Sequence, residues 1–327
     1  MKDQRCLILG ASGYVGARLV PAMVAAGAQV RVMVRDPTRL HEATWLNDVE
    51  VQVGDVSEPE RVWAAMAGVD VVYYLVHSMD GPDFVRFDRL AAQLVARAAK
   101  GSGVRRIVYL GGLHPTDDRR WSRHLASRAE VGEIFLRSGV CSAVLQAGVI
   151  VGSGSTSFEL LRYLTERLAV LPAPAWVHNR IQPIAISDVL HYLLAAATLP
   201  ATVNRGIDIG GPDVMTYWEL MCRYARIAGL PAPLALPLPA LPQALSAPVF
   251  AWAASVLTPV KRSVAEPLIE SLAHDMVCGA AGLGQFLGSP PGGPCSYEHA
   301  VRRALGSDLR DPDTRSRPDD AADWGSD

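Results

Sequence analysis

Short, nearly continuous apolar runs alternate with longer stretches in which apolar positions recur at helical spacing. The runs at 5–10, 29–34, 49–53, 69–75, 104–110 and 143–147 predict strands, and their continuity predicts a sheet covered on both faces. Between them the periodicity predicts helices over 14–26, 58–66, 82–99, 123–137 and 158–168. A strand-helix alternation of this kind folds as an α/β doubly wound parallel sheet with right-handed crossovers. Ligands on such sheets bind outside the carboxyl ends of the strands.

Beyond residue 180 the alternation loosens. The run 181–186 predicts a strand, Ser187 and Asp188 are read as caps of a helix to about 197, 206–211 predicts another strand, and Thr216 is read as the cap of a helix to about 228. The stretch 232–260 carries no charged residue and is interrupted by Pro233, Pro237, Pro239, Pro242, Pro248 and Pro259. A membrane span needs about 20 uninterrupted apolar residues, so the readings left are simple packing with a short helix over 243–260, a lid over an apolar substrate, or peripheral contact with a membrane surface. The division that follows is a dinucleotide-binding domain over 1–178, a smaller C-terminal substrate-capping region over 179–306 interleaved with it, and a solvated tail over 307–327 rich in Asp, Arg, Ser and Pro.

Candidate chemistry concentrates first in Gly10-Ala-Ser12-Gly13-Tyr14-Val15-Gly16, between the first strand and the first helix. Gly10 permits a tight turn, Gly13 lets backbone amides approach a pyrophosphate, and Gly16 allows close helix packing. The helix start supplies unpaired N–H groups and partial positive charge. With this GxxGxxG spacing the chain resembles the short-chain dehydrogenase/reductase superfamily, in its extended and atypical branches. The resemblance also rests on Gly54-Asp55-Val56, on Tyr109-Leu110-Gly111-Gly112, on Ala147-Gly148-Val149-Ile150-Val151-Gly152 and on Gln182-Pro-Ile-Ala-Ile-Ser-Asp188, over about residues 5–225. It is nearest to the NAD(P)H-binding, NmrA-like and complex-I-39-kDa-subunit-like members. The resemblance implies a Rossmann-type fold, with Asp55 and Val56 against the adenine, Leu75, Val76 and His77 beside the cofactor ribose, and Gly148 and Val149 near the nicotinamide.

The end of the second strand bears on which nucleotide binds. NAD-selective members place an acid there, whereas here Val34 fills the slot and Arg35 follows. A guanidinium at this place suits a 2′-phosphate, so NADP(H) is favoured over NAD(H). Asp36, next in the chain, offers Arg39 an alternative partner.

The resemblance also implies a Tyr-x-x-x-Lys pair and a loop serine, and this chain lacks all three. His124 stands in the tyrosine slot and Arg128 in the lysine slot, while Leu110-Gly-Gly-Leu113 replaces the serine loop. His124 and Arg128 share a helix face at i, i+4. The guanidinium favours a neutral imidazole, and Arg128 can bond a ribose or pyrophosphate oxygen without relaying a proton. The alternative places His124 on the surface. His77 and His114 are placed by topology near the crevice, His178 reads as a loop residue, and Tyr163-x-x-x-Arg167 imitates the motif on a helix away from the cofactor.

Composition narrows the classes. About half the residues are apolar, 20% are charged and the net charge is −2, a globular profile without the basic surface that nucleic-acid binding uses. The five cysteines stand far apart and read as reduced, mostly buried thiols, with no metal-ligand spacing. No secretory signal leads the chain, so a cytoplasmic location is expected. Two function classes stay open: an NADP(H)-dependent oxidoreductase acting on a small apolar carbonyl, enone or quinone, and a nucleotide-binding redox sensor or assembly subunit without turnover. Sugar-nucleotide epimerisation or dehydration is a distant third, because it relies on the missing tyrosine.

Overall fold

The computed structural model describes residues 1–77, 83–115, 121–167, 170–173, 175–237, 269–279 and 286–306. The expected helix over 243–260, most of the 232–260 stretch and the tail over 307–327 lie outside the described residues.

In chain order the first half builds β1 (Arg5–Leu9), α1 (Tyr14–Ala25), β2 (Gln29–Val34), β3 (Glu50–Val53), α2 (Pro59–Ala65), β4 (Val71–Tyr74) and α3 (Phe84–Gly101). There follow β5 (Arg106–Gly112), α4 (Arg123–Leu136), β6 (Cys141–Ala147), α5 (Thr156–Arg167), α6 (Ile186–Ala196), β7 (Arg205–Ile209), α7 (Tyr217–Ile227) and α8 (Tyr297–Ala304). Each predicted element of the first half is present, with ends moved by two residues or fewer.

The seven strands form one sheet in the order β7-β6-β5-β4-β1-β2-β3, with every neighbouring pair parallel. The chain runs outward from β1 to β3, then returns to lay β4 on the other side of β1. This reversal leaves a crevice at the carboxyl ends of β1 and β4, where the glycine turn lies.

Alternation along the strands separates two cores. Cys6 and Ile8 of β1 join Leu19, Val20 and Met23 of α1 and Val189, Tyr192 and Leu193 of α6 on one face. Leu7 and Leu9 join Val62 of α2, Ala92 and Val95 of α3, and Val131 and Phe135 of α4 on the other. Both faces are therefore dry, as the continuous apolar strands require. A third cluster, with Leu113, Leu125, Phe158, Tyr217, Tyr224 and Tyr297, joins α5, α7 and α8 beyond the carboxyl ends of the strands. At the sheet edge the buried Arg106 donates to the carbonyls of Val203, Leu199 and Pro200 at 2.8–3.1 Å and so fastens the turn that leads into β7.

Two expectations are corrected. Ser187 and Asp188 lie inside the first turn of α6, whose N-cap is Ala185 with no side-chain bond. Asp188 instead accepts the Cys295 amide at 2.7 Å, tying α6 to the segment before α8. The strand read over 181–186 is split into Arg180–Ile181 and Ile184–Ala185. Thr216 does cap α7, in a reciprocal capping box with Glu219. Of the cysteines, all free, only Cys6 is buried, and Cys141, Cys222, Cys278 and Cys295 are partly exposed.

Candidate cofactor and active site

The glycine turn has the shape a phosphate cradle requires. Gly10 adopts φ +94°, and a Cβ there would lie 2.9 Å from the carbonyl carbon and oxygen of Leu75. A Cβ on Gly16 would meet the Gly10 carbonyl oxygen at 2.1 Å and the Ala11 Cα at 2.8 Å, so the third glycine lets α1 start directly on the turn. Gly13 donates to the Gly10 carbonyl at 3.2 Å and forms the N-cap of α1 without a side-chain bond, and the first turn of α1 holds no acid. The positive end of α1, which opens with Tyr14, Val15 and Gly16, is thus met by no carboxylate of its own first turn and no capping side chain, with Ser12 partly exposed beside it. These residues fit a dinucleotide pyrophosphate.

At the ends of β2 and β3 the chain brings two predicted residues together. Arg35 Nε lies 3.8 Å from a carboxylate oxygen of Asp55. The other Asp55 oxygen accepts from the Ser57 amide at 2.7 Å and its hydroxyl at 2.6 Å, which fixes the carboxylate at the end of β3. Asp36 turns to Thr38, accepting from its amide at 2.9 Å and its hydroxyl at 2.6 Å. These bonds hold the Asp36 carboxyl below its ordinary range, with Arg39 a lesser influence. Val56 is buried beneath this end. Leu75 continues β4 through its amide to the Leu9 carbonyl at 2.9 Å, and Val76 and His77 follow it.

Beyond the end of β5 the predicted residues are organised by α4. Ser122 caps the helix through the Leu125 amide, which turns His124 inward to 6% exposure and ends the surface alternative. Burial, then the nearby Arg128 charge, push the His124 imidazole well below its ordinary value. His77 is likewise pushed well below by burial and by Arg128, although its Nε2 contact with the Leu110 carbonyl, 2.9 Å away, favours the proton. Both shifts favour the neutral imidazole. Arg128 packs against the backbone of β5: its Cδ is 3.7 Å from where a Gly112 Cβ would stand. Its Nε is buried without a hydrogen-bond partner, and burial lowers its guanidinium from its ordinary value. The Tyr109 hydroxyl donates to the Arg128 carbonyl at 3.2 Å, so this tyrosine braces the helix.

Gly148 sits where a Cβ would be 3.1 Å from the Gln182 carbonyl oxygen, and the Val149 carbonyl accepts the Ile184 amide at 2.9 Å. The β6 loop is thereby held against the 182–188 segment. His114 lies beside the Gln146 amide at 3.0–3.1 Å and packs on Trp121. His178 is exposed. Tyr163 stands between the guanidiniums of Arg162 and Arg167 on α5.

One site residue escaped the sequence reading. Asp88 is 5% exposed on α3, where it accepts the Ser127 hydroxyl at 3.2 Å. Its spacing on the stripe Phe84, Asp88, Ala91, Ala92, Val95 was the available signal, since an acid on an apolar helix face needs a partner.

The NAD(P)H-binding family matches residues 10–148 of the chain. Ceramide reductase of Caulobacter vibrioides is 30% identical over 261 residues, covering 77% of this chain and 79% of that protein. The mitochondrial NADH dehydrogenase [ubiquinone] 1 alpha subcomplex subunit 9 of Arabidopsis thaliana is 25% identical over 74% of this chain and 62% of its own length. The solved structure of an NADPH-dependent quinone oxidoreductase of Escherichia coli with NADPH superposes with a TM-score of 0.69 at 18% identity, over 92% of this chain and 99% of that one. The fold, the cradle and the extent of these likenesses agree: the chain belongs to the NAD(P)H-binding oxidoreductases of the atypical short-chain dehydrogenase/reductase type.

Proposed function

We propose that the protein catalyses NADP(H)-dependent hydride transfer to a small apolar carbonyl or quinone-like acceptor. The observation that carries this reading is the pairing of the phosphate cradle with a buried, unpartnered Arg128 Nε and two neutral imidazoles at the next strand ends, beside an apolar cluster. A bound nicotinamide supplies the hydride. The chain's own residues do the rest. The amides of α1 hold the pyrophosphate, Asp55 and Val56 flank the adenine, and Arg35 bonds the 2′-phosphate. Leu75, Val76 and His77 line the ribose, Gly148 and Val149 leave room for the ring, and Arg128 bonds a ribose or phosphate oxygen. His124, neutral in the tyrosine slot, contacts the acceptor and takes up or passes a proton at its imidazole nitrogen. Leu113, Leu125 and Val149 make the near wall apolar.

A second reading, nucleotide binding without turnover in a sensor or assembly subunit, is favoured by the joint loss of tyrosine, lysine and serine. A fluorescence titration with NADPH and NADH, followed by quinones and enones, separates the two. Tighter NADPH binding with oxidation on acceptor addition supports the enzyme. Tight binding with a stable nicotinamide supports the sensor.

A further inference from the structure

The start of α4 holds a charge for which the described protein supplies no matching bond. Arg128 Nε is buried without a partner. The flanking His77 and His124 are neutral and bring no negative charge. Asp88 is the acid whose field reaches the guanidinium, and its carboxylate already accepts from Ser127 at 3.2 Å. Burying the Nε donor without a partner is costly unless a ligand completes it, and the rest of the half-buried side chain is open to a bound molecule. Such a group is best explained where negative charge develops in a bound molecule. The slots that in related enzymes hold a tyrosine and a serine hold His124 and a glycine-rich turn, so neither slot offers a hydroxyl to protonate an oxygen as it forms.

We infer that Arg128 holds the oxyanion produced by hydride transfer, and that it thereby restricts turnover to acceptors whose reduced form is a stabilised anion, namely quinones and α,β-unsaturated carbonyls. The inference rests on the hydride-transfer reading above. In an enone the new C–H bond forms at the β-carbon, the old C=C pair moves to the adjacent bond, and the carbonyl pair settles on oxygen as an enolate. In a quinone the displaced pair settles on a ring oxygen as a phenolate. The acceptor gains two electrons and one hydrogen, the nicotinamide is oxidised, and the last proton reaches the finished anion from water by way of the neutral His124. A plain ketone would yield an alkoxide, too basic to persist without an acid in place. The guanidinium carries five donors, so a bond to a ribose hydroxyl leaves others for the oxyanion.

The test uses 4-nitrophenol as a stand-in for the phenolate, added to the full chain with and without NADP+, at a pH below the probe's solution pKa. Visible absorbance reads its ionised fraction. Arg128 should raise the ionised-to-neutral ratio of the bound probe about tenfold or more. Arg128→Gln should abolish that rise and Arg128→Lys should keep part of it. An unchanged far-UV circular dichroism spectrum shows that each variant is folded, and if Arg128→Gln is not, the lysine variant and wild type carry the comparison. In turnover, menadione and cyclohexenone should be reduced and cyclohexanone should not, with kcat for cyclohexenone falling about a hundredfold in Arg128→Gln. Probe bound as the neutral phenol, probe not bound, equal ionisation on Arg128→Gln, or comparable reduction of cyclohexanone would each overturn the inference. Failure of wild type to bind NADPH or NADH would instead sink the hydride-transfer reading, and the probe without nucleotide would still report on the anion site.

Discussion

At the residue scale, Arg35 and His124 are expected to carry separable roles at the two ends of the crevice. Arg35 stands 57% exposed and 3.8 Å from Asp55, so it is reachable by a phosphate from solvent and held near the end of β3. Arg35→Ala should weaken NADPH binding about tenfold or more while changing NADH binding little. Parallel fluorescence titrations decide this, and an equal loss for both nucleotides would return Arg35 to the role of a partner for Asp55. His124 is buried beside Arg128, and His124→Phe keeps an aromatic volume in its place. The variant should bind nucleotide with unchanged affinity and lose turnover with the best acceptor found. Full activity in that variant would remove His124 from the chemistry. Both residues were visible in the sequence as slots left by the family pattern. Their environments were not, because the charge state of His124 depends on burial by elements far away in the chain.

At the element scale, backbone placement is fixed by a few close approaches. A methyl group on Gly16 would overlap the Gly10 carbonyl oxygen, so Gly16→Ala must push α1 off the turn. The expected cost is about 1–3 kcal/mol, seen as a lower Tm, together with weaker nucleotide binding as the α1 amides leave their position. Unchanged affinity would mean that the turn is not the phosphate cradle. At the other edge of the sheet, Arg106 supplies donors to three carbonyls of the 199–203 turn. Arg106→Leu strands those acceptors and should lower stability by about 2–3 kcal/mol in a urea melt. The strands and helices of the first half were legible because their apolar periodicity matches their burial. The start of α6 was misread for a physical reason: Ser187 and Asp188 have capping chemistry, but tertiary contacts recruit Asp188 to the Cys295 amide.

At the scale of the whole molecule, the site leaves a mark on stability. His77 and His124 have folded-state values pushed well below the ordinary 6.5, first by burial. The unfolded chain therefore binds protons that the native chain refuses, and stability is fully present above about pH 6.5 and lost as pH falls below it. Each imidazole contributes about 1.4 kcal/mol per pH unit to that slope. Urea melts between neutral pH and about pH 5.5 should show the decline, and His124→Phe should remove its share. A flat profile in wild type would mean that the two rings protonate freely in the native state. The amino-acid sequence by itself determined the layered architecture, the glycine turn, the family, and the loss of the usual tyrosine, lysine and serine. These features depend on local periodicity, on glycine's lack of a Cβ and on residue identity at fixed spacing, all of which are written along the chain. Only the tertiary structure decided that β7 completes the sheet, that Asp36 serves Thr38 while Arg35 approaches Asp55, that His124 is inside, and that Arg128 Nε is left without a protein partner. Those facts depend on burial and on charges brought together from β3, β4, α3 and α4, and no spacing along one segment encodes the field that distant segments create.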